Sequence, residues 1–260
     1  MAHRTRRGDR QVARGTAKRD RPNRSPSIVR RIDGRPAGRP YGETDLSTRV
    51  LYRDSQIIVI DKPAGLPVHG GPRAKESIES MLGVLSFGLS QPPVAAHRLD
   101  HDTSGCLILA RNDRARRKLG RLFSSGRIEK VYWAVVMGVP PEATGHIELP
   151  LRKVTRKEGW RMVTDPAGQA AITDYRVLGR HNNCSWLELR PQTGRTHQIR
   201  VHCAALGCPI QNDPLYGRPG DGPLNLLARS VAIPFYEGRP PIEVVAQPPP
   251  RMKAALRAFI

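Results

Sequence analysis

The sequence has few acidic residues, few cysteines and no long apolar run. Its 260 residues contain 23 Asp and Glu against 43 Lys and Arg, together with four cysteines. Four scattered cysteines without CxxC spacing exclude a disulfide framework and a zinc pair of that type, so we expect reduced, mostly buried thiols. The sequence contains no run of about 18 apolar residues and no apolar signal-peptide core, so we expect no membrane span and a cytoplasmic protein.

The excess of basic residues gives the chain a formal net charge of +20. A basic excess of this size is typical of proteins that bind nucleic acid. The alternative is that the charge only maintains solubility. Because no amphipathic Lys/Arg helix indicates a lipid surface, nucleic acid is the leading predicted partner.

The N-terminal segment 1–45 differs in composition from the rest of the chain. It has almost no periodic apolar pattern and carries 13 Lys and Arg against five Asp and Glu. Low hydrophobicity with a high net charge predicts a disordered basic tail. This tail either tethers RNA through phosphate contacts or is a solvated segment with no binding role. Asp9, Asp20 and Asp33 argue against a mitochondrial presequence.

Residues 46–260 have the signals of one catalytic domain that is rich in strands. Apolar and β-branched runs bounded by Gly and Pro predict strands, and a 3.6-residue period predicts helices. On the strand predicted at 128–137, Val131, Trp133, Val135 and Met137 share the face expected to be core. We therefore predict an α+β fold, strand-dominated and largely antiparallel. The predicted strands are 56–60, 105–110, 128–137, 170–178 and 185–190, and the predicted helices are 113–125 and 196–206.

Two polar segments, about a hundred residues apart, carry the candidate chemistry. The first, HRLDHDTSG at 97–105, offers Asp100 in the loop before a predicted strand, and the second is RPQTGRTHQIRVH at 190–202. One ionised carboxylate and several guanidinium groups in a basic chain indicate chemistry on a polyanion. His197 and His202 lack the i, i+4 spacing of a helical metal pair, so no metal is predicted.

These segments, together with KVYWAVVMG at 130–138 and the extension of the second segment to Gly217, resemble the signature segments of RluA-type pseudouridine synthases. LYRDSQIIVIDKPAGLPVHG at 51–70 also resembles that family's first segment, so the resemblance spans 51–217 in the right order. It implies a long mixed sheet with helices and loops around a central RNA-binding cleft. The implied reaction is isomerisation of uridine to pseudouridine in ribosomal or transfer RNA, without a metal or redox cofactor.

The resemblance also implies roles for individual residues. Asp100 is the implied catalytic residue, which either attacks C1′ as a nucleophile or removes a sugar proton. Arg195 is the implied cationic partner of Asp100, with Arg200 as the alternative. Tyr132 is implied to stack on the target base and to take part in proton transfer, and Arg98 to occupy the space that the flipped base leaves. The further candidate substrate-binding residues are His97, Thr103, Lys130, Thr196, His197 and Arg200.

The residues leave several alternatives open. Asp102 is a competing acid, ranked lower because the family spacing places the catalytic acid directly before the two variable residues of DxxTSG. Ala228 stands where the family usually has a His, and the basic tail stands where many members have a small RNA-binding domain. A non-catalytic RNA-binding or ribosome-assembly factor would need no such acid, whereas a nucleoside or glycoside hydrolase would need a second one. We expect a monomer.

Overall fold

The computed structural model describes residues 45–71, 76–157 and 159–260. The predicted disordered tail, apart from Asp45, therefore lies outside the described residues. Asp45 is the N-cap of a short 3-10 helix, Leu46–Arg49, and its carboxylate accepts the backbone N–H of Ser47 at 2.8 Å. The described residues belong to one structural unit, and none of their helices has the length and apolar character needed to cross a bilayer.

Twelve strands in the described ranges build a large sheet and a separate hairpin. The strands are β1 (Val50–Arg53), β2 (Ile57–Lys62), β3 (Val94–Ala95), β4 (Ser104–Ala110), β5 (Glu129–Met137), β6 (Thr144–Glu148), β7 (Leu151–Arg156), β8 (Gly159–Thr164), β9 (Ile172–His181), β10 (Cys184–Pro191), β11 (Leu226–Ile233) and β12 (Ile242–Val245). The large sheet has the order β1-β2-β4-β11-β5-β10-β9-β6, with β3 paired to β4 and β12 to β11. Strands β7 and β8 form the hairpin. The α+β, mainly antiparallel prediction is confirmed.

Helices pack on both faces of the sheet. They are α1 (Ile78–Met81), α2 (Asp113–Ser124), α3 (Gln198–Ala205) and α4 (Pro250–Leu256), followed by 3-10 helix Arg257–Phe259. Val135 of β5 packs in the cluster that contains the buried residues of α2 and α4. Ala134 and Val136, which point to the other face, pack with α3. Val135 and Trp133 confirm the predicted core face, although Met137 at the end of the strand is exposed, and the opposite face of β5 is core as well.

The second predicted helix begins two residues later than expected. His197 is the N-cap of α3 and has a φ of 54°, so the helical backbone starts at Gln198 rather than at Thr196. A left-handed residue cannot continue a right-handed helix, and Thr196 and His197 consequently lie in the preceding turn. The predicted end at Gly207 is confirmed, with a φ of 77° that suits a glycine after a helix.

One parallel strand pair fixes the loop that contains Asp100 beside the strand that contains Tyr132. Strand β4 pairs in parallel with β11, through Ser104 with Leu227 and Gly105 with Ala228. Gly105 has a φ of 106°, and a Cβ at this position would collide with the carbonyl group of Ala228. Ala228 is buried directly opposite Tyr132 of β5. The loop before β4 is therefore fixed beside β5, and glycine is needed for the close approach.

Candidate active site

A cleft of about 710 Å³ opens between the two polar segments. Its walls are the loop before β4, the C-terminal turn of α2, the start of β5 and the turn that precedes α3. Nine of the predicted site residues line this cleft. They are His97, Arg98, Asp100, Thr103, Lys130, Tyr132, Arg195, Thr196 and His197. The structure therefore brings nine of the ten predicted residues together around one cleft, and Arg200, which is buried and does not line it, is the exception.

Asp100 is the carboxylate that lines the cleft. It is half-buried in the loop between β3 and β4, where its carbonyl accepts the backbone N–H of Thr103 at 3.1 Å. Among the described residues, no basic side chain lies within 4.0 Å of its carboxylate. Burial raises the pKa of Tyr132 and the charge of Asp100 raises it further, and the same charge helps to raise the pKa of Arg200. At His197 the charge of Asp100 only partly offsets burial, which lowers the pKa.

The competing acid, Asp102, is held by a neighbour instead. His101 donates from Nδ1 to the Asp102 carboxylate at 2.6 Å, and Asp102 is not among the cleft-lining residues. Burial raises the pKa of Asp102, but the hydrogen bond from His101 and the charges of His101, Arg200 and Lys62 outweigh it, so the pKa is lowered. The geometry therefore favours Asp100 over Asp102 as the acid that meets a ligand.

The expected ion pair between Asp100 and Arg195 does not form in this structure. Arg195 is exposed at the cleft, and its Nε donates to the carbonyl of Ala170 at 3.0 Å. Arg200 is instead the buried guanidinium, with Nε and Nη2 bound to Asp213 at 2.8 and 2.7 Å. The physical reason is the register of α3, which turns Arg200 into the protein interior while Arg195 stays in the exposed turn before the helix.

Arg200 is a buried cation whose pKa is influenced by the charge of Asp100. Burial lowers its pKa, but the hydrogen bonds and charge of Asp213 and the charge of Asp100 outweigh burial and leave the pKa raised. Arg200 also lies over the ring of Tyr216, 5.1 Å from the ring centroid. A guanidinium fixed on two sides remains charged and pre-oriented behind the Asp100 carboxylate.

Tyr132 forms part of the cleft floor on β5. Burial raises the pKa of its phenol, and the negative charge of Asp100 raises it further. The neighbouring Lys130 has its pKa lowered by burial, and its Nζ approaches the carbonyl of Thr193 at 3.4 Å. Tyr132 is therefore a neutral phenol that offers an aromatic face and a hydroxyl rather than a phenolate base.

His97 supports the loop as well as lining the cleft. Its Nε2 accepts the backbone N–H of Ile108 at 3.0 Å, and its ring packs 4.8 Å from that of Phe123. Burial and the charge of Lys130 lower the pKa of His97 to about 4, so the ring is neutral at neutral pH. Its hydrogen bond ties the loop to the adjacent strand, which fixes the backbone of the next residue, Arg98, at the exposed rim.

A buried lysine, which the sequence analysis did not single out, is hydrogen-bonded to the loop that contains Asp100. Lys62 is fully buried, and its ammonium donates to the carbonyls of Pro63, Leu66 and His101 at 2.9, 2.8 and 3.1 Å. The backbone N–H of Gly65 also donates to His101 at 2.8 Å. Burial lowers the pKa of Lys62 to about 7 against the opposing charges of Asp102, Asp100 and Asp61. The only sequence signal was a lysine two residues after an apolar run.

A second missed residue, Gln198, shapes the turn before α3. Its Oε1 accepts the Thr193 hydroxyl at 2.7 Å and the Arg195 backbone N–H at 3.0 Å. Its Nε2 donates to the Ile172 carbonyl and the Thr173 hydroxyl, both at 2.9 Å. Every hydrogen-bonding group of this buried amide is used, so the turn that presents Arg195 is anchored to β9.

His197 connects the cleft with the β7–β8 hairpin. Its Nδ1 lies 2.8 Å from the hydroxyl of Tyr216, and its ring stacks on Trp160 with centroids 5.2 Å apart. Burial lowers the pKa of His197. In the described ranges, no group of three or more His, Cys, Asp or Glu side chains could hold a metal ion. All four cysteines are free thiols, and three of them are buried, as expected.

Comparisons with known proteins give one consistent result. Residues 56–205 match the family described as RNA pseudouridylate synthase. An uncharacterised RNA pseudouridine synthase of Zymomonas mobilis is 46% identical over 200 residues, which cover 75% of this chain and 91% of that protein. Ribosomal large subunit pseudouridine synthase D of the same bacterium is 35% identical over 185 residues, 67% of this chain and 57% of its own length.

Two further matches are a longer plant protein and a solved human structure. The mitochondrial RNA pseudouridine synthase 3 of Arabidopsis thaliana is 41% identical over 219 residues, and the match covers 73% of this chain but 46% of that protein. The solved structure of human RNA Pseudouridylate Synthase Domain Containing 4 has a TM-score of 0.70 and 28% identity, covering 82% of this chain and 93% of the other.

Proposed function

This chain belongs to the RNA pseudouridylate synthase family, whose members isomerise uridine in RNA, and we propose that Asp100 performs this isomerisation on ribosomal or transfer RNA. The observation that carries the proposal is a single carboxylate in a basic cleft, electrostatically coupled to Arg200 and Tyr132. One relative is a ribosomal large subunit pseudouridine synthase, which supports ribosomal RNA as the first RNA to test.

The reaction needs one acid and no external reagent. The N1–C1′ bond of uridine breaks, the uracil rotates, a C5–C1′ bond forms, and the proton on C5 moves to N1, so the product is an isomer. Asp100 takes part either by forming a bond to C1′ or by removing a proton from C2′ and later returning it. Both routes need an ionised carboxylate beside the sugar.

Tyr132 supports the base rather than removing the C5 proton by itself. Because burial and Asp100 raise its pKa, the phenol stays protonated at neutral pH. A neutral phenol on a strand provides a stacking face for the detached uracil and a hydroxyl that can relay a proton. The uracil must be retained while it rotates, and an aromatic floor reduces its escape into solvent.

The target base has to leave its stack before it reaches Asp100. Extruding a stacked base costs a few kcal/mol, which contacts in the pocket must offset. Arg98 and Arg195 are exposed at the rim of the cleft, where they can contact phosphates or fill the space that the base leaves. Thr103 and Thr196, which also line the cleft, are available for hydrogen bonds to the base or ribose.

The test is a pair of matched carboxylate substitutions. Asp100→Asn keeps the shape and removes the charge, and Asp102→Asn makes the same change two residues away. Carbodiimide-dependent reverse transcription on RNA from cells lacking the gene, treated with each purified protein, maps restored pseudouridine. We expect activity to be lost in Asp100→Asn and retained in Asp102→Asn, with RNA binding intact in both. The opposite result would assign the chemistry to Asp102.

The same assay separates the rival functions. A hydrolase would release free uracil, and the absence of product uracil beside newly formed pseudouridine would exclude it. A non-catalytic RNA-binding factor would bind the RNA without changing any uridine. The position of the restored stop would name the RNA class and the modified nucleotide.

Location and assembly state complete the proposal. We propose that the protein is a cytoplasmic monomer, although some relatives are mitochondrial proteins. Fluorescence imaging of the tagged full-length chain and sedimentation of the purified protein would test these two points.

A further inference from the structure

The β7–β8 hairpin projects beside the cleft but has no part in the proposed chemistry. It is a two-stranded sheet in which Thr155 pairs with Trp160 and Lys153 with Met162. Across 151–164 the sequence carries five Lys and Arg against one Glu. Two short strands are not stable by themselves, so the hairpin depends on packing against the domain.

The hairpin is anchored to the domain at its base. Leu151 and Met162 pack with Ala171 and with Val201 of α3, and the backbone N–H of Met162 donates to the Tyr216 hydroxyl at 3.0 Å. The same hydroxyl is hydrogen-bonded to His197, a residue of the cleft wall. The hairpin is therefore fixed relative to the cleft.

Trp160 is the exposed aromatic residue of this hairpin. Its side chain is 42% exposed although the indole is large and apolar, and its ring stacks on His197 at an interplanar angle of 24°. Lys153 places its ammonium 4.6 Å from the indole centroid. The other two tryptophans, Trp133 and Trp186, pack against each other and against the main core instead. An exposed indole that stacks on the cleft wall and lies beside cations is a surface on which a nucleobase can stack.

We propose that the hairpin binds an unpaired nucleotide of the RNA next to the target uridine, with Trp160 stacking on its base. This inference rests on the proposed function and adds a second contact site to it. The entering base displaces the Lys153 ammonium from the ring, and that ammonium, together with exposed Arg156, pairs with the adjacent phosphates. Because every base has a π-face, such a contact tolerates different sequences and selects for single-stranded RNA.

The test measures binding separately from catalysis. The full chain carrying Asp100→Asn is titrated against a labelled ten-residue oligouridylate and against a duplex of equal length, with anisotropy as the readout. We expect Trp160→Leu to weaken single-strand binding by about 5- to 100-fold, and Trp160→Phe to recover most of it, because a phenyl ring still stacks. Arg180→Ala, an exposed change on β9, is the charge control for Lys153→Ala, and we expect only Lys153→Ala to weaken binding.

Three results would overturn the inference. One is unchanged oligouridylate binding by Trp160→Leu, and another is an equal loss for the duplex, which would exclude selection of an unpaired base. The third concerns the Trp160→Leu variant of the active enzyme, in which loss of an RNA-docking contact should raise KM at constant kcat. A lower kcat at unchanged KM would make Trp160 only a packing partner of His197. If pseudouridine formation is never found but the binding pattern holds, the proposed function alone fails.

Discussion

Arg200 and Asp213 form a bidentate ion pair that is almost completely buried, with relative side-chain exposures of 5% and 0%. Asp213 also accepts the backbone N–H groups of Leu215 and Tyr216 at 2.9 and 3.0 Å. Four hydrogen bonds therefore satisfy the acid, and the turn that carries it fixes the orientation of the guanidinium. This arrangement holds a permanent positive charge behind the loop of Asp100.

Removing the acid of this pair should destabilise the fold. Asp213→Asn leaves Arg200 as a buried cation without a counter-charge, and we expect the free energy of unfolding to fall by about 3–5 kcal/mol. Urea denaturation measures it. Asp165→Asn is the control, because its partner Arg152 is 58% exposed and a surface pair contributes about 0–1 kcal/mol. Equal losses in the two variants would contradict a special role for the buried pair.

Substitution of the two candidate arginines should separate their roles. Arg200→Lys keeps a charge but cannot form the bidentate contact with Asp213, so we expect kcat to fall by roughly tenfold or more. Arg195→Lys changes an exposed rim residue, and we expect it to alter mainly the KM for RNA. Steady-state kinetics of pseudouridine formation measures both. A larger loss of kcat in Arg195→Lys would restore Arg195 as the functional partner of Asp100.

Loss of the buried Lys62 ammonium should make the loop that contains Asp100 less stable. Lys62→Met leaves the carbonyls of Pro63 and Leu66 without their donor and removes one of two donors from the His101 carbonyl, and we expect a loss of about 2–5 kcal/mol of stability. Amide hydrogen exchange at Gly65, whose N–H donates to the His101 carbonyl, should become faster. Lys130→Met is the control, because Lys130 makes one long contact of 3.4 Å. Unchanged protection at Gly65 would show that Lys62 does not hold this loop.

Stability should fall on acidification partly because of His97. Its pKa is lowered to about 4 in the fold, below the value of about 6.5 for a free imidazole. Between these values the unfolded chain binds the extra proton, so stability present above about pH 6.5 is lost as the pH falls toward 4. We expect His97→Gln to remove up to about 2 kcal/mol of the stability difference between pH 7 and pH 5. Parallel pH curves for the two proteins would contradict this assignment.

The close approach of β4 and β11 should exclude any side chain at Gly105. Gly105→Ala places a Cβ against the Ala228 carbonyl and strains a φ of 106°, so we expect a loss of about 2–4 kcal/mol. Gly120→Ala is the opposite control: nothing lies within 4 Å of the new Cβ, and in helix α2 alanine should stabilise by about 1 kcal/mol. Thermal unfolding of both variants would show the contrast, and a neutral Gly105→Ala would contradict the steric argument.

Local sequence signals predicted the elements that depend on neighbours in the chain. The β-branched run before Asp61 became β2, and the period of buried residues after Asn112 became α2. Asn112 caps that helix by accepting the N–H of Ala115 at 2.8 Å, an interaction over three residues. The β7–β8 hairpin was not predicted, because its strands contain few apolar residues and its anchoring contacts, with Ala171, Val201 and Tyr216, come from other parts of the chain.

The sequence by itself determined the basic net charge of the chain and the position of Asp100 in the loop before β4, because neither depends on long-range packing. Which guanidinium is buried and which is exposed at the cleft was decided by the tertiary structure. In the sequence, Arg195 and Arg200 are equivalent positive charges. In the structure, the left-handed backbone of His197 delays the start of α3, so Arg195 lies before the helix. Arg200 lies within the helix and binds Asp213, which is 13 residues further along the chain. Burial and pairing across the chain are properties of the fold, so composition and spacing could not distinguish the two arginines.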